Sequence, residues 1–339
     1  MNNEKTYHLK NVMLVSFAII AAFIIGIYLV SLTLGRFQSI LLPDTGAGWY
    51  YWKLPTLAFW ATFTAWVLYI LHQVSVWRLI YLLKNQPPLA DDQVGQINMK
   101  LLIVNGVFIA LHLLQTALFY DGLAQTVPVM SSQGSVIVML VMVLILMNGK
   151  RGLFFGKKVK LPAKGVQSVF KVHSYYIAWA LVYTFWFHPT EGTWGHLMGF
   201  LYIFLLMLQM SLGRTKFHTN IKWITLLEVY VAVHGAVVAL EAGNGMWPMF
   251  LLGFMLMFII TGMYGIISNK VALVGVSVLY LAIVTLVYSG VLGNANTLAD
   301  FHQITWIPII LYALVFVLAL VFAWVYQLVS KNNASKKAS

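Results

Sequence analysis

Residues 219–241 read TNIKWITLLEVYVAVHGAVVALE, an apolar stretch of membrane length with His234 in its outer third. Residues 97–119, INMKLLIVNGVFIALHLLQTALF, repeat the frame: Asn98 precedes His112 by fourteen residues, as Asn220 precedes His234. A spanning helix needs about 20 predominantly apolar residues. Working outward from these two stretches, ten such runs can be marked, at about 11–34, 55–80, 99–120, 131–149, 168–188, 196–213, 221–241, 247–267, 271–293 and 302–330. The chain of 339 residues is 61% hydrophobic and only 9% charged, with a mean hydropathy of +0.84. Soluble domains are about one quarter charged. The sequence therefore specifies an all-α polytopic membrane helix bundle, a single transmembrane domain over 1–339, with no stretch left for a separate soluble domain. The run from Asn11 to about Gly35 is longer than a signal-peptide core and lacks a small-x-small cleavage site, so it reads as the first span. Cysteine is absent, which excludes disulfides, thiolate-held iron–sulfur clusters and covalent CxxCH haem attachment.

The distribution of Lys and Arg sets the expected orientation. The loops 150–164 and 214–222 carry Lys150, Arg151, Lys157, Lys158, Lys160, Lys164, Arg214, Lys216 and Lys222 on one face. Arg78, Lys84, Lys100, Lys270 and the tail lysines Lys331, Lys336 and Lys337 join them. Arg36 and Lys53 share the other face with Asp44, Asp121, Glu191, Glu241 and Asp300. The basic face is expected to be cytoplasmic with both termini inside, in a bacterial inner (plasma) membrane. The net charge of +12 is explained by insertion and calls for no nucleic-acid partner.

The opening coincidence extends in both directions. Gln73-x-Ser75-x-x-Arg78 matches Gln209-x-Ser211-x-x-Arg214, and Gly149-x-x-Gly152-x4-Lys157 matches Gly262-x-x-Gly265-x4-Lys270. Spans two to four and six to eight thus read as copies, over 55–157 and 196–270. Four spans separate them, so the copies share orientation and imply a pseudo-two-fold axis along the membrane normal.

Nine histidines occur, and ionisable groups within a bilayer normally face a cavity, a partner or a cofactor. Counting about 1.5 Å per residue puts His72, His173 and His218 near the cytoplasmic side. The same count puts His112, His188, His196, His234 and His302 toward the outer side. His173 and His188 on the fifth span lie roughly 22 Å apart and within roughly 60° of one face. His218 and His234 flank the seventh span, which runs the same way. Two parallel helices, each with an inner and an outer imidazole, suit two stacked metal macrocycles.

On His173-x14-His188 and His218-x15-His234 the chain resembles the polytopic b-type cytochromes, the ferric-reductase-like and cytochrome b561 families. There, histidines about thirteen or fourteen residues apart on two helices hold two haems. The resemblance implies one or two haem b groups held by His173 and His188 with His218 and His234, and His112 joins His173, His188 and His234 among the candidate iron ligands. It implies electrons carried across the bilayer and exchanged with quinone or a redox partner protein. The repeat offers another pairing, His112 with His234, leaving an inner haem to His72, His173 or His218. Arg214 and Lys216 could meet propionates, and Gly106 and Gly235 could admit a flat ring beside a helix.

Two other classes draw on the same residues. Glu228, an acid within the seventh span, could conduct protons in a transporter of protons, metal ions or solutes, or could pair with a nearby Arg or Lys. His188, Glu191 and His196 lie within nine residues and could hold a metal or accept protons in a metal-dependent or haem-handling enzyme. No HxxHH, HExxH, GxGxxG or Walker motif occurs, so an NAD(P)H-driven reduction would need a separate electron donor.

Overall fold

The computed structural model describes residues 5–43, 45, 50–87, 90–292 and 296–338, the stretch 331–338 as backbone alone; Asp44 and the tail-lysine side chains lie outside what is described. The fold is an all-α bundle. Its helices are α1 Leu9–Ser31, α2 Gly35–Gln38, α3 Phe59–Lys84, α4 Gln96–Phe119, α5 Val129–Arg151 and α6 Ala163–Phe187. They continue as α7 Trp194–Ser211, α8 Ile221–Glu241, α9 Trp247–Ile260, α10 Lys270–Tyr288 and α11 Trp306–Ala338. Each anticipated span is met by one helix, and α2 is a single added turn. Eight helical stretches among the described residues are long and apolar enough to cross a membrane. The helix α9, with 14 residues, is apolar but shorter, and α6 is long but diluted by Lys164, Lys171 and His173. Outward positions are apolar, as on α10, where Val271, Val274 and Val278 are exposed while Tyr280, Val284 and Val287 are buried. Apolar faces of that extent suit lipid and are rare in water.

The ninth helix corrects its expected span of 247–267. It ends at Ile260, and a 3₁₀ turn, Gly262–Gly265, follows. The Ile260 carbonyl accepts the Phe155 N–H at 2.8 Å, and the Thr261 hydroxyl donates to the Leu153 carbonyl at 2.6 Å. These bonds tie the helix end to the 153–157 turn.

The chain divides into two compact units, one of residues 1–136 and 174–223, the other of 137–173 and 224–339. In the first, α3 packs on α4, and α1 on α4 and α7. A two-residue ribbon pairs Tyr7 with Val94 and His8 with Gln93. Asn98 sews the basic end of α4 to α7, its Nδ2 donating to the carbonyls of Ser211 at 2.7 Å and Gly213 at 3.0 Å. In the second unit, Leu252, Ile259, Met263, Tyr280, Val284, Val287, Tyr288 and Ile304 form a core. There the backbone of Gly165 lies so close to α11 that an added Cβ would stand 2.0 Å from the Ala319 oxygen.

The motif pairs read as a repeat occupy different local settings. Asn98 is the third residue of α4, whereas Asn220 lies outside α8 and caps it, accepting the Trp223 N–H at 3.1 Å. Arg78 is inside α3, while Arg214 follows α7 with φ +66°. Each compact unit also draws residues from both segments, 55–157 and 196–270.

Candidate functional site

One end of the first unit is built where α4 and α6 stop. Tyr120 ends α4 in a left-handed conformation, φ +69°, which a bulky residue adopts only when its surroundings impose it. Its side chain is fully buried, and its hydroxyl donates to Glu191 Oε1 at 2.7 Å. Gln38 Nε2 donates to the other oxygen at 2.8 Å. Next to Tyr120, Gly122 fits against the last carbonyls of α6; an added Cβ would lie 2.3 Å from the Trp186 oxygen. Asp121, also fully buried, accepts the Leu54 N–H at 2.8 Å through Oδ1. Its Oδ2 has no partner among the described residues, nor has the Oε1 of Gln115, whose Nε2 donates to the Asp121 carbonyl at 2.6 Å.

Burial pushes the Asp121 carboxyl up to about 6, against the Leu54 hydrogen bond and the Lys53 charge. Burial likewise raises Glu191, opposed by the bonds from Tyr120 and Gln38. Tyr50 is raised well above its ordinary range, first by burial and then by Glu191, so its hydroxyl keeps its proton. That hydroxyl lies 2.6 Å from His188 Nδ1 and 3.5 Å from His196 Nε2. His196 Nδ1 is 3.0 Å from the Thr193 hydroxyl. Glu191 and both histidines therefore share one end of the unit, but the carboxylate is taken by Tyr120 and Gln38. Among the described residues no group of three His, Asp or Glu side chains is placed to hold a metal ion.

Deeper in the same unit the proton positions follow from donor chemistry. Indole N–H only donates, so Trp186 Nε1, 3.2 Å from His72 Nδ1, makes that nitrogen an acceptor. His72 Nε2 then carries the proton and donates to Asn105 Oδ1 at 2.9 Å. Asn105 Nδ2 donates to Ser211 Oγ at 2.9 Å, and Ser211 donates to the Met207 carbonyl at 2.7 Å. The helix α3 runs from Phe59 to Lys84, later at both ends than the anticipated span, so His72 sits at mid-helix against Trp186, one residue before the end of α6. Both of its nitrogens are engaged. His112 is the converse: it is fully buried, and neither nitrogen has a partner among the described residues. Its ring stacks on Trp186 at 4.4 Å and meets the edge of Phe185 at 4.6 Å.

At the basic end of this unit His218 is clamped by α7. Its Nδ1 is 2.8 Å from the Gln209 carbonyl, and Gln209 Nε2 donates to the His218 carbonyl at 2.9 Å. Gln209 Oε1 also accepts Trp223 Nε1 at 2.8 Å. The matching Gln73 on α3 is buried, and neither amide atom has a partner among the described residues. Arg214 donates to the Lys84 carbonyl at 2.9 Å, and Lys216 pairs with Asp91 at 2.5 Å; both expected propionate partners thus hold protein groups.

In the second unit, His173 Nδ1 lies 2.9 Å from the Phe170 carbonyl, and His234 is half-buried on α8. His302 turns its Nδ1 to the Ala299 carbonyl at 2.9 Å. Glu228 is ion-paired with Arg151, whose Nε and Nη1 are buried without partners among the described residues. Of the two expected ring-admitting glycines, Gly106 has open space where a Cβ would stand, while Gly235 lies against Phe250.

The chain has no match among protein-family models, curated proteins or solved structures. Its chemistry must be argued from its own residues.

Sequence reasoning found the histidines and Glu191 but missed Tyr50, Tyr120, Asn105, Trp186 and Gln209. Asp121 and Arg151 had registered only as face charges. Phe119-Tyr-Asp-Gly122 carries the pattern of an ordinary turn, which hides a buried acid. The spacing of Gln209 to His218 was the one available signal for the clamp.

Proposed function

We propose that this chain is a membrane b-type cytochrome, carrying electrons across the bilayer through histidine-held haem b and exchanging them with quinone or a redox partner protein. The observation that carries this reading is shared by His173, His188 and His218: each has Nδ1 set against a fixed protein group. An axial imidazole binds iron through one nitrogen while the other is held by a carbonyl, carboxylate or hydroxyl, which fixes ring and tautomer. For His173 and His218 the partner is a carbonyl oxygen, which only accepts. Nδ1 therefore carries the proton and Nε2 the lone pair. For His188 the partner is the Tyr50 hydroxyl, which can donate or accept, so this contact orients the ring without fixing its tautomer. A bound haem would supply a one-electron iron couple. The residues of the chain orient the ligand nitrogens. His72 gives both nitrogens to protein groups, which speaks against it as a ligand in this reading.

The test is an absorbance spectrum of protein purified with haem supplied during expression, oxidised and then dithionite-reduced. A sharp reduced band near about 560 nm, the low-spin signature of bis-imidazole b haem, is expected. His218→Ala should lose part of it, and His72→Gln should keep it. A colourless wild-type preparation overturns the reading.

A second reading, a proton-coupled transporter, is favoured by one observation: Asp121, buried at the α4–α6 end of the first unit with an unpartnered carboxyl oxygen and titrating at about 6. It predicts proton flux in proteoliposomes that Asp121→Asn abolishes. Flux unaffected by Asp121→Asn, or no flux at all, excludes it.

A further inference from the structure

The second unit carries a cavity that the proposed electron path does not use. It measures about 580 Å³ and lies where α5 ends and α6 begins, lined by Asn148, Val159, Lys160, Val166, Gln167 and Phe170 among others. Its outer wall is an extended segment held in place by the helix behind it. Asn148 donates through Nδ2 to the Val159 carbonyl at 2.8 Å and accepts the Val159 N–H at 2.9 Å. The turn that delivers this segment uses Gly152 at φ +79° and Gly156 at φ +76°, conformations that glycine adopts without strain. The wall is therefore tied to α5, and the feature it bounds is an open groove.

Both amide atoms of Asn148 are occupied in making the wall. That leaves Lys160 and Gln167, both exposed, as the polar groups on offer, against aliphatic and aromatic walls. Residues 150–171 hold Lys150, Arg151, Lys157, Lys158, Lys160, Lys164 and Lys171 and no acid. Arg151 is paired with Glu228, and Lys164 and Lys171 lie 5.0 and 5.9 Å from the ring of Tyr326. Lys157, Lys158 and Lys160 make no ion pair among the described residues. The occupant must match two properties at once: negative charge beside Lys160 and hydrocarbon along Val159, Val166 and Phe170. A soluble anion supplies only the first and a neutral lipid only the second. The site also stands between the end of α5 and the start of α6.

We infer that this groove seats one anionic phospholipid, its phosphate beside Lys160 and an acyl chain along the apolar wall. Basic pockets at helix ends on the lysine-rich side of membrane proteins are suited to such headgroups. The inference does not depend on haem.

Native mass spectrometry of the full chain, released from detergent with equimolar phosphatidylglycerol and phosphatidylcholine, tests it. One phosphatidylglycerol is expected to stay bound in preference to phosphatidylcholine. Lys160→Gln and, separately, Val166→Trp should each lower its retention at least about five-fold. Lys270→Gln, which alters an exposed lysine on α10, should leave it unchanged. Lys160 is exposed, so its variant folds independently of the site. Equal retention of the two lipids, retention unchanged in both groove variants, or full displacement of the lipid by inorganic phosphate would each overturn the inference; the last would make the site one for a soluble anion.

Discussion

Replacing Asp121 by Asn should stabilise the protein at neutral pH, a counter-intuitive result for a buried, hydrogen-bonded acid. The carboxyl is fully buried, only one of its oxygens has a partner, and burial raises it from 3.8 to about 6. Because the folded value lies above the unfolded one, the folded state holds its proton longer. Stability from this group is complete below 3.8, falls as pH rises toward about 6, and is flat above. At about 1.4 kcal/mol per pH unit, the charge costs the folded state about 3 kcal/mol at neutral pH. Asparagine keeps the acceptor for Leu54 and removes the charge, so a gain of about 1–3 kcal/mol is expected once amide desolvation is deducted. The gain should vanish near pH 4. The assay is unfolding in detergent micelles from pH 4 to pH 8, followed by tryptophan fluorescence. A variant less stable than wild type at neutral pH, with an unchanged pH slope, would refute the argument and show that the Asp121 charge is compensated within the fold.

Two further substitutions probe the packing around the candidate groups. Glu228→Gln leaves the Arg151 guanidinium buried without its counter-charge and should cost about 3 kcal/mol, whereas Arg151→Met combined with Glu228→Leu should recover most of that; thermal unfolding in detergent reads both. Gly122→Ala puts a methyl 2.3 Å from the Trp186 oxygen, a backbone clash that no rotamer relieves. It should lower stability by about 3 kcal/mol and, by loosening the adjoining Tyr120, disturb the Glu191 contact; a wild-type melting curve would show that the α4–α6 junction yields freely.

The spans were legible because lipid demands long apolar helices with internally satisfied backbones, and that demand is written in composition alone. The shortened α9 was not legible, since its end is set by Phe155 and Leu153, about a hundred residues away in the chain. The candidate site was half legible. Histidines stand out in an apolar chain, so their positions could be listed, but their tautomers depend on partners that spacing does not reveal. His72 and His218 look alike in sequence. One proves to be a relay between Trp186 and Asn105, and the other is clamped by a glutamine nine residues earlier. The bounds of α3 lie four residues later at both ends than the anticipated span, which shifts the helical position of His72 by about 6 Å.

His112 provides the sharpest separation between a structural and a ligand-holding imidazole. A buried ring with neither nitrogen hydrogen-bonded forfeits about 1–3 kcal/mol, so it must be either a tolerated member of an aromatic stack or a group whose nitrogen serves a ligand. Trp186 presents its face to His112 at 4.4 Å and is itself held by His72, so the stack is fixed independently of the His112 nitrogens. His112→Phe keeps the stacking and removes the unpartnered nitrogens. For a purely packing role the variant should melt higher by about 1–3 kcal/mol equivalent, with the haem spectrum intact. For an iron ligand the ring would still fill the space, yet the low-spin band should weaken and the haem-to-protein ratio should fall. Stability and spectrum thus move separately: a rise in the first with no change in the second removes His112 from the ligand set, and a loss in the second puts it there.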